Sequence, residues 1–101
     1  MYKSNVARVD LEKIVKEKVS ITQILERYGL MTTFCQEQEN LFGPCPIHQG
    51  NNPREFKVSL ARNCWICMGR CRSGGDILSF VARKEGVSIR QSAHIISDWF
   101  L

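Results

Sequence analysis

The 101-residue chain carries 14 Lys/Arg against 10 Asp/Glu, a formal net charge of +4, with 44% hydrophobic residues and five cysteines. Such a length makes one domain with a modest core, and no apolar run approaches the roughly 18 residues that a membrane helix needs. The odd cysteine count, and an opening Met1-Tyr2-Lys3-Ser4-Asn5 without an apolar stretch or cleavage site, argue against a disulfide-stapled secreted module and for a reducing, cytoplasmic setting.

Helical periodicity covers about residues 10–29. Leu11, Ile14 and Val15 share one face of a first helix, with Asp10 as its N-cap. The phase breaks at Val19-Ser20, where Ser20 and Gln23 form a capping box and Val19 is placed to staple onto Ile24. A second helix carries Ile21, Ile24, Leu25 and Tyr28, and Gly29 stands where a C-terminal cap belongs. Residues 32–73 read as short strands and turns. Strands at 32–35 and 40–43 flank a polar turn at 36–39, and 51–53 is a loop. Residues 56–60 alternate apolar and polar, as a strand with one buried face does. Residues 63–66 form its returning partner.

Asp76 then caps a helix carrying Ile77, Leu78, Phe80 and Val81 that stops at Gly86. Ser88 and Gln91 are a second capping box. They open a last helix with Ile89, Ala93, Ile96 and Phe100 on one face and Ile95 and Trp99 beside it. The apolar ending Trp99-Phe100-Leu101 either packs on the first helices or leads into a further domain.

Two short-spaced ligand pairs frame the strand region: Cys45-Pro46-Ile47-His48 and Cys67-Met68-Gly69-Arg70-Cys71. Three thiolates and one imidazole make a closed tetrahedral shell for one structural zinc ion, with no open position for substrate. That donor set suits mononuclear zinc better than an iron–sulfur cluster. Spacing alone favours Cys64-Trp65-Ile66-Cys67 as the second pair, so Cys64 competes with Cys71 for the fourth position. Cys35 reads as a buried or half-buried thiol and His94 as a polar helix residue. The expected fold is α+β, a zinc ribbon of small antiparallel strands between ligand pairs, flanked by N-terminal helices and C-terminal helices over 76–100.

Charge is distributed unevenly. Residues 1–53 balance at six of each sign, whereas 54–90 carry eight basic residues against three acidic ones. A positive surplus around the ligand pairs suits contact with nucleic acid, although a solvated basic face gives the same count.

These residues together resemble the zinc-binding domain of bacterial and phage DNA primases of the DnaG type. The resemblance rests on Arg27-Tyr28-Gly29, Cys45-Pro46-Ile47-His48, and Asn52-Pro53 followed by Phe56 and Val58. It continues through Asn63-Cys64-Trp65-Ile66-Cys67, Gly74-Gly75-Asp76-Ile77-Leu78-Ser79-Phe80-Val81 and Glu85-Gly86-Val87-Ser88-Ile89-Arg90. It implies a zinc ribbon flanked by helices that engages single-stranded DNA template when primer synthesis begins, with bond formation left to a separate acidic domain. Its landmarks, an aromatic two residues before the third ligand and a fourth ligand shortly before Gly-Gly-Asp, select Cys45, His48, Cys67 and Cys71. The chain departs from the family in having three residues between Cys67 and Cys71, and in the stretched Pro53-Arg54-Glu55-Phe56.

Single strands are held by cations on phosphates and aromatic faces under bases. Arg54, Lys57, Arg62, Arg70 and Arg72 are the expected basic edge, with Trp65 and Phe42 as stacking platforms. Asp76 reads as a helix cap and not as an acid catalyst, and no catalytic centre is expected. The expected partners are template DNA and a primase catalytic domain or replicative helicase, in a bacterial, phage or mobile-element setting. Two competing classes are an adaptor that docks on a helicase or polymerase without binding template, and a thiol redox protein using Cys64 and Cys67. The second lacks the strand–helix context such a pair needs.

Overall fold

The computed structural model describes residues 11–101; the Asp10 cap expected from the sequence lies outside them. Residues 11–18 form α1, followed by α2 (Ile21–Arg27), a 3-10 turn (Met31–Thr33) and five strands. The strands are β1 (Cys35–Glu37), β2 (Asn40–Gly43), β3 (Phe56–Ser59), β4 (Cys64–Cys67) and β5 (Ser73–Gly75). Helices α3 (Ile77–Glu85) and α4 (Ile89–Phe100) complete the α+β fold.

The helix ends follow local chemistry. At α2, Ser20 Oγ accepts from the Gln23 N–H (3.2 Å) and Gln23 Oε1 accepts from the Ser20 N–H (2.9 Å). The helix closes on Gly29 at φ 70, with the Leu30 N–H bonding back to the Leu25 carbonyl, a Schellman closure. Asp76 Oδ1 caps α3 at the Ser79 N–H (3.0 Å), and Ser88 with Gln91 caps α4 reciprocally.

The apolar faces differ from expectation at one residue in each outer helix. In α1, Val15 is buried but Ile14 is 37% exposed. In α4 the buried stripe is Ser92, Ala93 and Ile96, while Ile89 lies exposed. Ser92 can occupy the core because its hydroxyl donates to the Ile89 carbonyl (2.6 Å), which satisfies the polar group locally. Trp99 meets Tyr28 edge-on with ring centroids 5.5 Å apart, under the Arg27 guanidinium. The apolar chain end therefore packs against the end of α2.

All five strands pair antiparallel in the order β1-β2-β3-β4-β5. The sheet extends beyond the ligand pairs on both sides, because β1 and β2 precede the first pair and β5 follows the second. The expected strand at 32–35 begins only at Cys35, since residues 31–33 form a separate 3-10 turn after the Gly29 stop, closed by Thr33 Oγ1 on the Leu30 carbonyl. Gln36 and Glu37 then lie on the strand, and the turn narrows to Gln38-Glu39, with Gln38 at φ 58.

Alternation divides the sheet into two faces. Leu41, Phe56, Val58, Trp65 and Cys67 point inward and are buried, together with Phe80 and Ile77 of α3. Phe56 stacks on Trp65 with ring centroids 5.5 Å apart, and Phe80 closes on both rings. At the tip of the β3–β4 hairpin, Asn63 at φ 57 reaches the helices. Its Oδ1 accepts from the Ile21 N–H (2.6 Å), and its Nδ2 donates to the Val19 carbonyl (3.2 Å).

Candidate metal centre and nucleic-acid interface

Cys45, at the end of β2's run-out, and His48 form one knuckle; Cys67, the last residue of β4, and Cys71 form the other. Their ligand atoms all lie within 4.8 Å of one another. His48 Nδ1 stands 3.2 Å from Cys71 Sγ and 3.7 Å from Cys67 Sγ, and Cys45 Sγ is 3.8 Å from Cys71 Sγ. Ligands about 2.0–2.3 Å from a tetrahedral zinc ion stand about 3.6–3.8 Å apart, so the cluster fits one structural zinc ion. Nδ1 is the nitrogen of His48 that faces the thiols.

Each knuckle aims backbone donors at its leading sulfur: Ile47 and His48 N–H at Cys45, and Gly69 and Cys71 N–H at Cys67. Burial pushes the Cys45 thiol up to about 12 despite those donors. Burial acts on Cys67 in the same sense. There the N–H groups of Cys71 and Gly69, with the Cys45 and Cys71 thiols, outweigh it and hold Cys67 below the usual thiol range. A divalent cation overrides both, because a coordinating thiol is deprotonated outright.

Cys64 is outside this group. Two-residue alternation puts it on the outer face of β4, three positions from inward-facing Cys67, so one ion cannot take both without rotating the strand. Cys35, expected to be at least half buried, is exposed at the sheet edge. His94 is exposed on α4, and Asp76 serves as the helix cap.

The outer face is the second feature. Register aligns Cys35, Phe42, Lys57, Ile66 and Gly74 in one row across all five strands, and Glu37, Asn40, Ser59 and Cys64 in the next. A trough of about 530 Å³ lies over these rows, lined by Asn40, Lys57, Ser59, Arg62, Cys64 and Ile66 among others.

Two sequence expectations change here. Trp65 is 2% exposed, packed between Phe56 and Phe80, and its Nε1 donates to the Asp76 carbonyl (3.0 Å) and Ser79 Oγ (3.2 Å). No base can stack on it. Arg54 donates through both terminal guanidinium nitrogens to Glu37 (2.6 and 3.3 Å) and lies over the Phe42 ring at 4.1 Å. The same hydrogen bonds hold the Glu37 carboxyl below the usual range. Arg54 is thus neutralised at the sheet edge, and one face of Phe42 is taken. Lys57 and Arg62 line the trough, and Arg70 and Arg72 are exposed at the second knuckle.

Residues 6–100 match the family described as the CHC2 zinc finger. The chain belongs to that family. The order Cys45, His48, Cys67, Cys71 is the one its name describes. The DNA primase of Rickettsia conorii is 29% identical over 86 residues, covering 85% of this chain and 12% of that protein. That of Mycolicibacterium smegmatis is 29% identical over 84 residues, covering 83% of this chain and 13% of that protein. The chain therefore spans about an eighth of the length of these relatives. The crystal structure of the Aquifex aeolicus primase, with zinc-binding and RNA polymerase domains, shares the fold. Its TM-score is 0.75 at 23% identity, over 89% of this chain and 21% of that one.

Alternation in the sequence already sends Lys57 and Ser59 to the face opposite Phe56 and Val58. The sequence reading missed Asn40 and Ile66 of the trough, which extending that alternation to the neighbouring strands would have found. It also missed Glu55. This CHC2 finger places the Glu55 carboxylate beside His48 and the Cys45 amide. No periodicity announces that contact, which crosses a loop.

Proposed function

We propose that this CHC2 zinc finger binds single-stranded DNA template along the outer face of its sheet, as the non-catalytic module of a primase at the start of primer synthesis. The observation that carries this reading is the trough over β2, β3 and β4, with Lys57 and Arg62 on its walls and exposed Ile66 (44%) in its row. Cations there neutralise phosphates, and Ile66 and the open side of Phe42 offer apolar surface to bases. Asn40 and Ser59 supply hydrogen-bonding groups to base edges. Arg70 and Arg72 continue the positive edge toward the metal. Zinc holds the strands in register and takes no part in chemistry. A primase catalytic domain or a replicative helicase is the protein partner that suits this role, in a reducing bacterial or phage-infected cytoplasm. No helix among the described residues is long and apolar enough to cross a membrane.

Fluorescence anisotropy with labelled single-stranded oligonucleotides, across a salt series, tests the proposal. Single-strand affinity falls with salt at a log–log slope of about −0.7 per phosphate neutralised. Lys57→Ala with Arg62→Ala should weaken binding and flatten that slope by roughly 1.4. An unchanged slope, or parent affinity in the double variant, removes the trough as the site.

A further inference from the structure

Glu55 is the one buried carboxylate among the described residues, with its side chain 8% exposed. Burying a carboxylate is unfavourable unless its oxygens are partnered, and here both are. Oε1 lies 3.3 Å from His48 Nε2, and Oε2 accepts from the Cys45 N–H at 3.2 Å. The Glu55 main-chain carbonyl accepts from the Met68 N–H at 2.7 Å. One residue at the threshold of β3 thus bonds to both knuckles, which lie 22 positions apart from Cys45 to Cys67.

The surroundings are shaped to this carboxylate. A Cβ at Gly50 would overlap Glu55 Oε2 and His48 Nε2, and a Cβ at Gly69 would overlap Glu55 Oε1. Each glycine belongs to the segment of one ligand pair, and neither lies in the left-handed region. Their lack of a side chain makes room for Glu55.

We propose that Glu55 is the positioning residue of the metal centre. Its carboxylate accepts a hydrogen bond from the His48 Nε2–H, which keeps the proton on Nε2 and leaves Nδ1 as the lone-pair nitrogen facing the three sulfurs. A carboxylate behind a ligating imidazole fixes its tautomer and ring orientation and raises its basicity. Through the Cys45 and Met68 amides the same residue sets the spacing of the two knuckles. This inference rests on the metal cluster alone and stands whether or not oligonucleotides bind the trough.

The test uses the zinc-loaded full chain with Glu55→Gln. Glutamine puts an NH2 where one carboxylate oxygen stood, so either the His48 or the Cys45 N–H then faces a donor in place of an acceptor. Competition against a chromophoric chelator should show zinc affinity 10–100-fold weaker, while circular dichroism at saturating zinc matches the parent. Nitrogen-15 NMR of His48 should show Nδ1 metal-bound and a slowly exchanging Nε2 proton in the parent, with that proton exchanging faster in the variant. Zinc affinity within twofold of the parent, or a metal-bound Nε2, overturns the proposal. If Glu55→Gln does not fold even in excess zinc, Gly69→Ala decides, because the atoms nearest a Cβ there are all Glu55's, so it displaces the carboxylate while keeping it in the chain. A comparable affinity loss then supports the assignment, and parent affinity overturns it.

Discussion

The two faces of one sheet have opposite tasks, and single-residue steps along β3 and β4 separate them. Inward, Phe56, Val58, Trp65 and Cys67 are closed off by α3 and carry the stability and one metal ligand. Outward, Lys57, Ser59, Cys64 and Ile66 line an open trough. The metal lies with the inward set, so thiol chemistry and surface chemistry share strands without sharing side chains. Neighbouring cysteines three apart, Cys64 and Cys67, fall on opposite sides of that division.

The sharpest way to break the comparison is at the cysteines. Cys71→Ser should lose stoichiometric zinc and, with it, most cooperative folding, because metal binding and folding are coupled in such small domains. Cys64→Ser should keep one zinc per chain. Metal analysis with thermal melts checks both; zinc retained in Cys71→Ser and lost in Cys64→Ser would reverse the assignment of faces.

A smaller contrast follows at adjacent positions. Phe56→Ala should cost about 3–5 kcal/mol in urea unfolding of the zinc-loaded chain, as deletion of a buried ring does. Lys57→Ala should change stability by no more than about 0.5 kcal/mol and act on oligonucleotide affinity instead. Equal effects of the two on stability would mean that the faces are not separate.

The mildest effect concerns the sheet edge. Glu37→Gln removes the partner that neutralises Arg54, so affinity for single strands should rise roughly twofold at low salt and the gain should fade as salt is added. No change would show that Arg54 lies off the path of the strand.

What the sequence conveyed was local. Capping boxes at Ser20 and Ser88, the stops at Gly29 and Gly86, and the alternation in β3 all act within four residues, and each is found where the pattern placed it. Helical periodicity could not tell that Ile14 and Ile89 sit at the margins of their stripes, because the width of a buried face is set by what packs on it. The 3-10 turn at Met31–Thr33 outcompeted the strand propensity of two threonines, with Thr33 bonding back to Leu30. Trp65 and Arg54 looked available because their partners, Phe80, Asp76 and Glu37, are brought to them only by the fold. Glu55 was invisible for the same reason: its position relative to His48 depends on the path of the intervening loop.

Asn63 ties the tip of the β3–β4 hairpin to the elbow between α1 and α2, holding both sides of that elbow with one amide group. The contact spans more than 40 residues of chain, so it closes a long loop whose entropy cost the contact must offset. Once made, it turns hairpin and elbow into one mechanical unit. A strand of nucleic acid pulling on Arg62, one residue away, would be pulling on the helices as well.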